Sequence, residues 1–258
     1  MKTKSHRAGR NGGFTLVELL VVVVIIVALA AVSFTAYRSI RAKANESTSA
    51  SNMRQLGVAI QTFVADKNRY PSVGDKDSDE FQVAWDRLMM PFLGNPDFDY
   101  RTGKNIPILE GSAQAVAMGP AAKILHCPGD DADLPRGQMP RSYSMCPWTC
   151  TQGGPNFING FAGVPFGVGP PPIRVADPSR AVVLVEHQSE KGKPPNVIGT
   201  SAYEHMFGFM DQPQRKIPAN YHGSNQLVLF VDGHVAAIPG DITQTEWVSK
   251  GYSPHTKR

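Results

Sequence analysis

Side chains that could bind a metal ion or assist hydrolysis are concentrated in residues 220–238, NYHGSNQLVLFVDGHVAAI. His222, Asp232 and His234 could bring two imidazoles and a carboxylate to one site, and these groups serve both as zinc ligands and as general acids and bases. Further ligands could come from more distant positions, namely Glu186, His187 and His205. One hypothesis is therefore a metal-binding protein or a hydrolase that uses His222, Asp232 and His234.

The spacing of these residues favours a structural role instead. The chain lacks the H-E-x-x-H and Cys-x2-Cys patterns of zinc sites and the G-x-S-x-G pattern of serine hydrolases. Asp232-Gly233 separates two apolar, β-branched runs, which is the strongest short signal for a β-hairpin with a type I′ turn. His222 and His234 would then lie at opposite strand ends. We predict a turn at Asp232-Gly233, no catalytic residue and no cofactor, with a structural divalent ion as the alternative.

An apolar stretch that contains a single acid lies near the N-terminus. Residues 19–37 carry no charge, and a helix over residues 14–37 would be about 36 Å long, enough to cross a hydrocarbon layer of about 30 Å. Glu18 lies in the first turns of this stretch, where a carboxylate is costly and should have a partner or a function. The segment is predicted to span a membrane.

The basic residues of the chain are unevenly distributed. The formal net charge is +4, but four of the 26 basic residues lie in residues 1–13, which contain no acid, and the remaining 22 equal the 22 acidic residues. A nucleic-acid partner is therefore not indicated by composition. The basic residues that precede the apolar stretch favour a cytoplasmic N-terminus.

Residues 4–20, K-x-H-R-x-G-R-N-G-G-F-T-L-V-E-L-L, resemble the leader and cleavage site of type IV prepilins and type II secretion pseudopilins. The resemblance implies that a prepilin peptidase cuts between Gly13 and Phe14 and methylates the new amine of Phe14. It also implies that Glu18 acts in assembly. The amine would lie about 6 Å from Glu18 along a helix, so Glu18 of one chain could pair with the amine of a neighbour and set the axial register.

The same resemblance implies partners and a location. The partners would be prepilin peptidase, other pseudopilins in a helical assembly, an inner-membrane assembly platform and membrane lipid. The chain would cross the cytoplasmic membrane once, with its N-terminus inside and its globular domain in the periplasm. It would act as a structural subunit of a short fibre in a type II secretion or type IV pilus-like system.

A second resemblance covers the C-terminal part. His222, nine residues and Asp232-Gly233 look like the prepilin-type processing-associated H-x9-D-G region, which ends a family of pseudopilin-like proteins with a domain of unknown function. Four other segments match that pattern: Trp85 with the following LMMPFL, LHCPGDD at 125–131, RSYSM at 141–145 and DPSRAVVLVEH at 177–187. The family's name refers to processing and does not identify a chemical role for His222.

The predicted fold is α+β and pilin-like, with a long N-terminal helix packed on a mostly antiparallel β domain that has long loops. The predicted segments are a basic leader over 1–13, a membrane-spanning and assembly helix over 14–37, its soluble half over 38–66 and an exported globular domain over 67–258. The helix should continue to about residue 65, because proline is absent before Pro71.

Apolar periodicity predicts how these elements pack. Met53, Leu56, Ile60 and Phe63 recur at helical spacing and should form one buried stripe. Residues 72–80 read as an exposed acidic loop and 81–93 as one amphipathic helix. Residues 181–187, AVVLVEH, read as a buried strand.

Two features leave alternatives open. Cys146 and Cys150 could form a disulfide, either could pair with Cys127, or all three could be free thiols. The loop over residues 151–172 contains Phe157, Phe161 and Phe166, which could serve a ligand-binding module at the tip of a fibre.

Overall fold

The structure is a computed structural model of the chain. It describes residues 15–71, 74–78, 81–99, 108–131, 134, 137–145, 175, 177–187, 196–198, 222, 225–240, 242, 246 and 249–250. The chain forms two compact units, Met1–Arg41 and Ala42–Arg258. The predicted sites at Gly13 and Phe14, the cysteines Cys146 and Cys150, His205 and the 151–172 loop all lie outside the described residues.

Helix α1 runs from Leu16 to Lys67 as one element of 52 residues. It ends where Asn68 adopts a left-handed conformation (φ 52°) and donates its N–H to the Val64 carbonyl at 2.8 Å. Asparagine is one of the few residues that tolerate this conformation, and Pro71 then prevents the helix from resuming. The long helix predicted from the absence of proline is confirmed.

The part of α1 in the first unit exposes its apolar side chains. The large apolar residues between Leu16 and Ile40 are 47–82% exposed. By length and composition α1 could cross a membrane, and none of its most apolar window is buried within the chain. An exposed apolar surface of this extent indicates an environment of lipid or other protein.

The part of α1 in the second unit packs on the domain. Met53, Leu56, Ile60 and Phe63 are at most 2% exposed, so the predicted stripe is confirmed as core. At Gly57 the helix comes close to a strand, because a Cβ there would lie 3.2 Å from Leu229 Cδ1. The missing side chain therefore permits the approach of helix and sheet.

The sheet that receives α1 has four antiparallel strands in the order β3-β4-β5-β6. Their bounds are Tyr143–Met145, Val182–Glu186, Asn225–Phe230 and Val235–Pro239. Strand β4 is buried along its whole length, as its continuous apolar sequence predicted. The α+β prediction with an antiparallel sheet is confirmed.

Residues 74–93 differ from the prediction. Gly74–Ser78 and Phe81–Ala84 are strands β1 and β2 and pair antiparallel, so the predicted loop and the first turn of the predicted helix are wrong. Helix α2 covers only Trp85–Met89, and a 3-10 helix continues over Met90–Leu93. Periodicity misled here because Trp85–Met90 is buried on all sides, and Pro91 cannot donate an α-helical hydrogen bond.

An ion pair lies inside this buried region. Arg141 Nη1 donates to Asp86 Oδ2 at 2.8 Å, and both side chains are fully buried. Arg141 Nε donates to Asn196 Oδ1 at 2.9 Å, and its guanidinium lies 5.6 Å from the centre of the Trp85 ring. These partners offset the cost of removing the two charges from water.

Helices α3, Ala113–Met118, and α4, Ala121–Ile124, complete the described elements.

The close approach at Gly57 leads to a stability prediction. Gly57→Leu should lower the apparent Tm of the detergent-solubilised chain by about 5 °C, because overpacking a core costs about 1–3 kcal/mol. Val58→Leu adds bulk to the same helix at a side chain that is 68% exposed and should leave Tm nearly unchanged. Near-ultraviolet circular dichroism of the aromatic residues would measure both, and equal Tm values would refute the proposed contact.

Candidate functional site

The first candidate site is the N-terminal end of α1. Thr15 precedes the helix, and its backbone N–H and hydroxyl donate to Glu18 Oε2 at 2.8 and 2.9 Å. The Glu18 N–H donates back to Thr15 Oγ1 at 3.2 Å. This reciprocal arrangement is a capping box, which satisfies backbone donors that have no partner within the helix. The sequence Thr-x-x-Glu at 15–18 could have indicated it.

The capping box explains how an acid is tolerated at the start of an apolar helix. The Glu18 carboxylate accepts local hydrogen bonds and lies at the positive end of the helix dipole, where negative charge is favoured. Because an ionised carboxylate can accept about four hydrogen bonds, the two from Thr15 leave capacity for a further donor. Pairing of Glu18 with a Phe14 amine stays a prediction.

The second candidate site is the C-terminal group of His222, Asp232 and His234, and the structure separates His222 from the other two. His222 lies before β5, and Asp232 and His234 follow it, so about 20 Å of strand separates the two ends. His234 Nδ1 instead contacts Asp232 Oδ1 at 2.6 Å in a partly exposed pair. The hypothesis of one metal or hydrolytic site built from His222, Asp232 and His234 is therefore wrong.

Asp232 and Gly233 lie in the turn between β5 and β6. The Gly233 N–H donates to the Phe230 carbonyl at 3.0 Å, and the Phe230 N–H donates to the His234 carbonyl at 2.9 Å. Gly233 has φ 92°, whereas Asp232 does not have positive φ. This is a three-residue loop in which a type I turn is followed by a left-handed glycine. The expected type I′ turn is wrong, since it would place Asp232 in the left-handed region.

His222 belongs to a buried polar cluster centred on Glu186 of β4. His222 Nε2 lies 2.9 Å from Glu186 Oε1, and Ser49 Oγ donates to the same oxygen at 2.6 Å. The Leu227 N–H donates to Glu186 Oε2 at 2.7 Å. Because the Ser49 proton is used for Glu186, the Tyr143 hydroxyl donates to Ser49 Oγ at 2.8 Å. The cluster thus joins α1, three strands and the His222 segment.

Cys127 extends this cluster. Its Sγ lies 3.8 Å from His222 Nε2 and accepts the Gly129 N–H at 3.4 Å. Cys127 is a buried free thiol, so the alternative in which it forms a disulfide is not observed. Its backbone N–H donates to Ser142 Oγ at 2.8 Å, and Ser142 in turn donates to Asp130 Oδ2 at 2.7 Å.

The electrostatics of the cluster favour positive charge at His222. Burial alone would lower the pKa of His222, but hydrogen bonds and charge interactions with Cys127 and Glu186 outweigh it and raise the pKa to about 10. His222 is therefore cationic at neutral pH and forms an ion pair with Glu186. Burial raises the pKa of Tyr143, so its hydroxyl stays protonated and remains a donor.

The geometry does not suit nucleophilic catalysis by Cys127. The same ring nitrogen, His222 Nε2, faces both the thiol and the Glu186 carboxylate. In a catalytic triad the acid orients one nitrogen while the other accepts the proton of the nucleophile. Here the nitrogen that would have to accept the thiol proton is occupied by Glu186.

Sequence reasoning found some members of this cluster and missed others. It named His222 and Glu186, but it considered Cys127 only as a disulfide partner or a free thiol and did not single out Ser49 or Tyr143. The signal was present, because the segments LHCPGDD, RSYSM and DPSRAVVLVEH contain Cys127, Tyr143 and Glu186. Adjacent to Glu186, His187 is buried, but among the described residues its side chain is not part of the converging ligand group.

Two family models match the chain. Residues 9–34 match the prokaryotic N-terminal methylation motif, and residues 38–169, just over half of the chain, match the family described as protein of unknown function (DUF1559). Neither match reaches His222 or Asp232, so the H-x9-D-G resemblance stays a prediction.

A curated relative supports the N-terminal match. The chain is 39% identical over 61 residues to the type IV major pilin protein PilA of Myxococcus xanthus (strain DK1622). The alignment covers 24% of this chain and 28% of that pilin, so it concerns only a part of both proteins. No solved structure matches the chain.

These matches confirm the predicted family. The methylation motif and the pilin relative belong to a structural family rather than to an enzyme family. The second family match begins in α1 and ends at residue 169, so it covers only the first part of the predicted domain. The chain belongs to the DUF1559 family of proteins of unknown function and carries a prepilin-type N-terminal methylation motif.

Proposed function

We propose that the chain is a pseudopilin-like structural subunit that is anchored in the cytoplasmic membrane and assembles into a short fibre. The observation that carries the proposal is the change of environment along α1. Its first part exposes apolar side chains from Leu16 to Ile40, whereas its second part packs on the chain's own sheet. Such a helix needs lipid before assembly and other helices of its kind afterwards.

The processing step of the proposal rests on the methylation motif. The motif covers Gly13 and Phe14, and cleavage between them by prepilin peptidase would remove the four basic residues of the leader. Removal of these charges from the membrane surface would allow the helix to leave the bilayer along its axis. A methylated Phe14 amine would then lie beside the Glu18 capping box.

The assembly step uses Glu18. In the free subunit Thr15 supplies its hydrogen bonds, so the acid is tolerated before a neighbour arrives. In the fibre the Phe14 amine of an adjacent subunit would add a charge-assisted hydrogen bond, which is stronger than a neutral one in a medium of low dielectric constant. The remaining partners in this proposal are other pseudopilins and an inner-membrane assembly platform.

Processing can be tested with a pair of glycine variants. Gly13→Ala should leave a precursor that keeps its leader, because the added methyl group lies at the bond to be cut. Gly12→Ala adds the same group one residue earlier and should be processed. Intact-mass measurement and N-terminal sequencing of protein from cells with a prepilin peptidase would show the outcome. A wild-type chain that still begins at Met1 would overturn the proposal.

Assembly can be tested at Glu18 with a control for the helix cap. Glu18→Ala should insert into the membrane but be lost from the sheared fibre fraction, because the carboxylate is removed while the N–H of residue 18 can still donate to Thr15 Oγ1. Thr15→Ala keeps the carboxylate but removes the cap and the hydroxyl's hydrogen bond to Glu18, at a cost of about 0.5–2 kcal/mol, and should still assemble. Immunoblots of membrane and fibre fractions would compare the two. Equal assembly of wild type and Glu18→Ala would contradict the role of Glu18.

A further inference from the structure

Three side chains from distant parts of the sequence bring potential metal ligands to one point in the domain. Cys127 Sγ, a Glu186 carboxylate oxygen and His222 Nε2 all lie within 4.8 Å of one another. We propose that these three residues bind one divalent zinc ion. The proposal does not depend on membrane anchoring or fibre assembly.

The distances are close to those of a tetrahedral site. With a Zn–S distance of about 2.3 Å and Zn–N and Zn–O distances of about 2.0–2.2 Å, neighbouring ligand atoms lie about 3.3–3.6 Å apart. The observed separations are 3.8 Å for Cys127 Sγ to His222 Nε2 and 2.9 Å for His222 Nε2 to Glu186 Oε1. Shifts of about half an ångström would bring these two pairs to the expected separations, and the third pair, Cys127 Sγ and the Glu186 oxygen, lies within 4.8 Å. Water would take the fourth position.

The orientation of His222 favours a metal over proton transfer. The same nitrogen, Nε2, lies 3.8 Å from the sulfur and 2.9 Å from the carboxylate oxygen, so an ion bound to Nε2 would lie close to both other donors. Binding would place the ion where the Nε2 proton now lies. One proton would leave His222 and one would leave the Cys127 thiol, so that a thiolate, a carboxylate and a neutral imidazole would hold the dication in a site of zero net charge.

Neighbouring groups already hold the proposed ligands in position. The Gly129 N–H donates to Cys127 Sγ, and the Leu227 N–H and Ser49 hydroxyl donate to the two oxygens of Glu186. Hydrogen bonds of this kind, from neighbouring groups to the metal ligands, orient the ligands and raise the affinity of the site for the metal. One sulfur, one nitrogen and one oxygen donor suit zinc better than the hard cations calcium and magnesium.

Binding of Co²⁺ provides the first test, because Co²⁺ can replace Zn²⁺ in a protein site and its absorption spectrum depends on the ligands that bind it. The full chain, purified in detergent with a reductant and freed of metal by a chelator, should bind one equivalent of Co²⁺. It should show a thiolate-to-cobalt charge-transfer band and the strong visible absorption of a tetrahedral ion. Cys127→Ser should abolish the charge-transfer band, and His222→Gln should abolish stoichiometric binding.

Two matched variants control for other ligands in the chain. Cys146→Ser makes the same chemical change at another cysteine, and His234→Gln changes the histidine of the exposed Asp232 pair. Both should retain the cobalt spectrum of the wild type. Failure of the wild type to bind Co²⁺, or a charge-transfer band that persists in Cys127→Ser, would overturn the proposal.

Thermal unfolding gives an answer even if Cys127→Ser does not fold. Zinc at about a hundred times its Kd should raise the Tm of the chelator-treated wild type by about 5 °C, because a ligand that binds only the folded state stabilises it. The same zinc concentration should not raise the Tm of His222→Gln. A wild-type Tm that is insensitive to zinc would also refute the site.

Discussion

The contact between the second part of α1 and strands β4 and β5 is the interaction on which the domain depends. It combines an apolar stripe with polar bonds on the same helix face. Leu56 and Ile60 fill the core, while Ser49 reaches the Glu186 carboxylate. Gly57 lets the two elements approach, since a Cβ there would press on Leu229. Burial of apolar side chains supplies most of the favourable free energy of this contact. The polar hydrogen bonds fix the position of the helix along the sheet.

Buried charge imposes the second constraint. Arg141 and Asp86 neutralise each other, and Glu186 is satisfied by three donors. Each group would be costly to bury alone, because the interior cannot replace its hydration. The partners come from segments far apart in the sequence, so the polar interior forms only when the whole domain is folded. Short strands that are far apart in the sequence can therefore still form one arrangement of the sheet.

Local patterns in the sequence predicted the elements that local forces determine. The unbroken α1, the stripe at Met53 and Leu56, the buried β4 and the β5–β6 turn each follow from periodicity, β-branching or turn chemistry. Residues 81–93 were misread because periodicity assumes one exposed face, and Trp85–Met89 has none. The cluster around Glu186 could not be assembled from sequence, since its geometry depends on three-dimensional convergence of Cys127, His222 and Ser49. The capping box at Thr15 and Glu18 was readable and overlooked.

The continuity of α1 has a mechanical consequence. No proline interrupts Leu16–Lys67, so a pull on its N-terminal end would pass along one continuous hydrogen-bonded helix. Such a pull would be resisted by the contacts of residues 49–63 with the rest of the domain. Many bonds must then break at once, and rupture under force is governed by the barrier to unfolding. A pull on the helix would therefore be shared among many contacts of the domain.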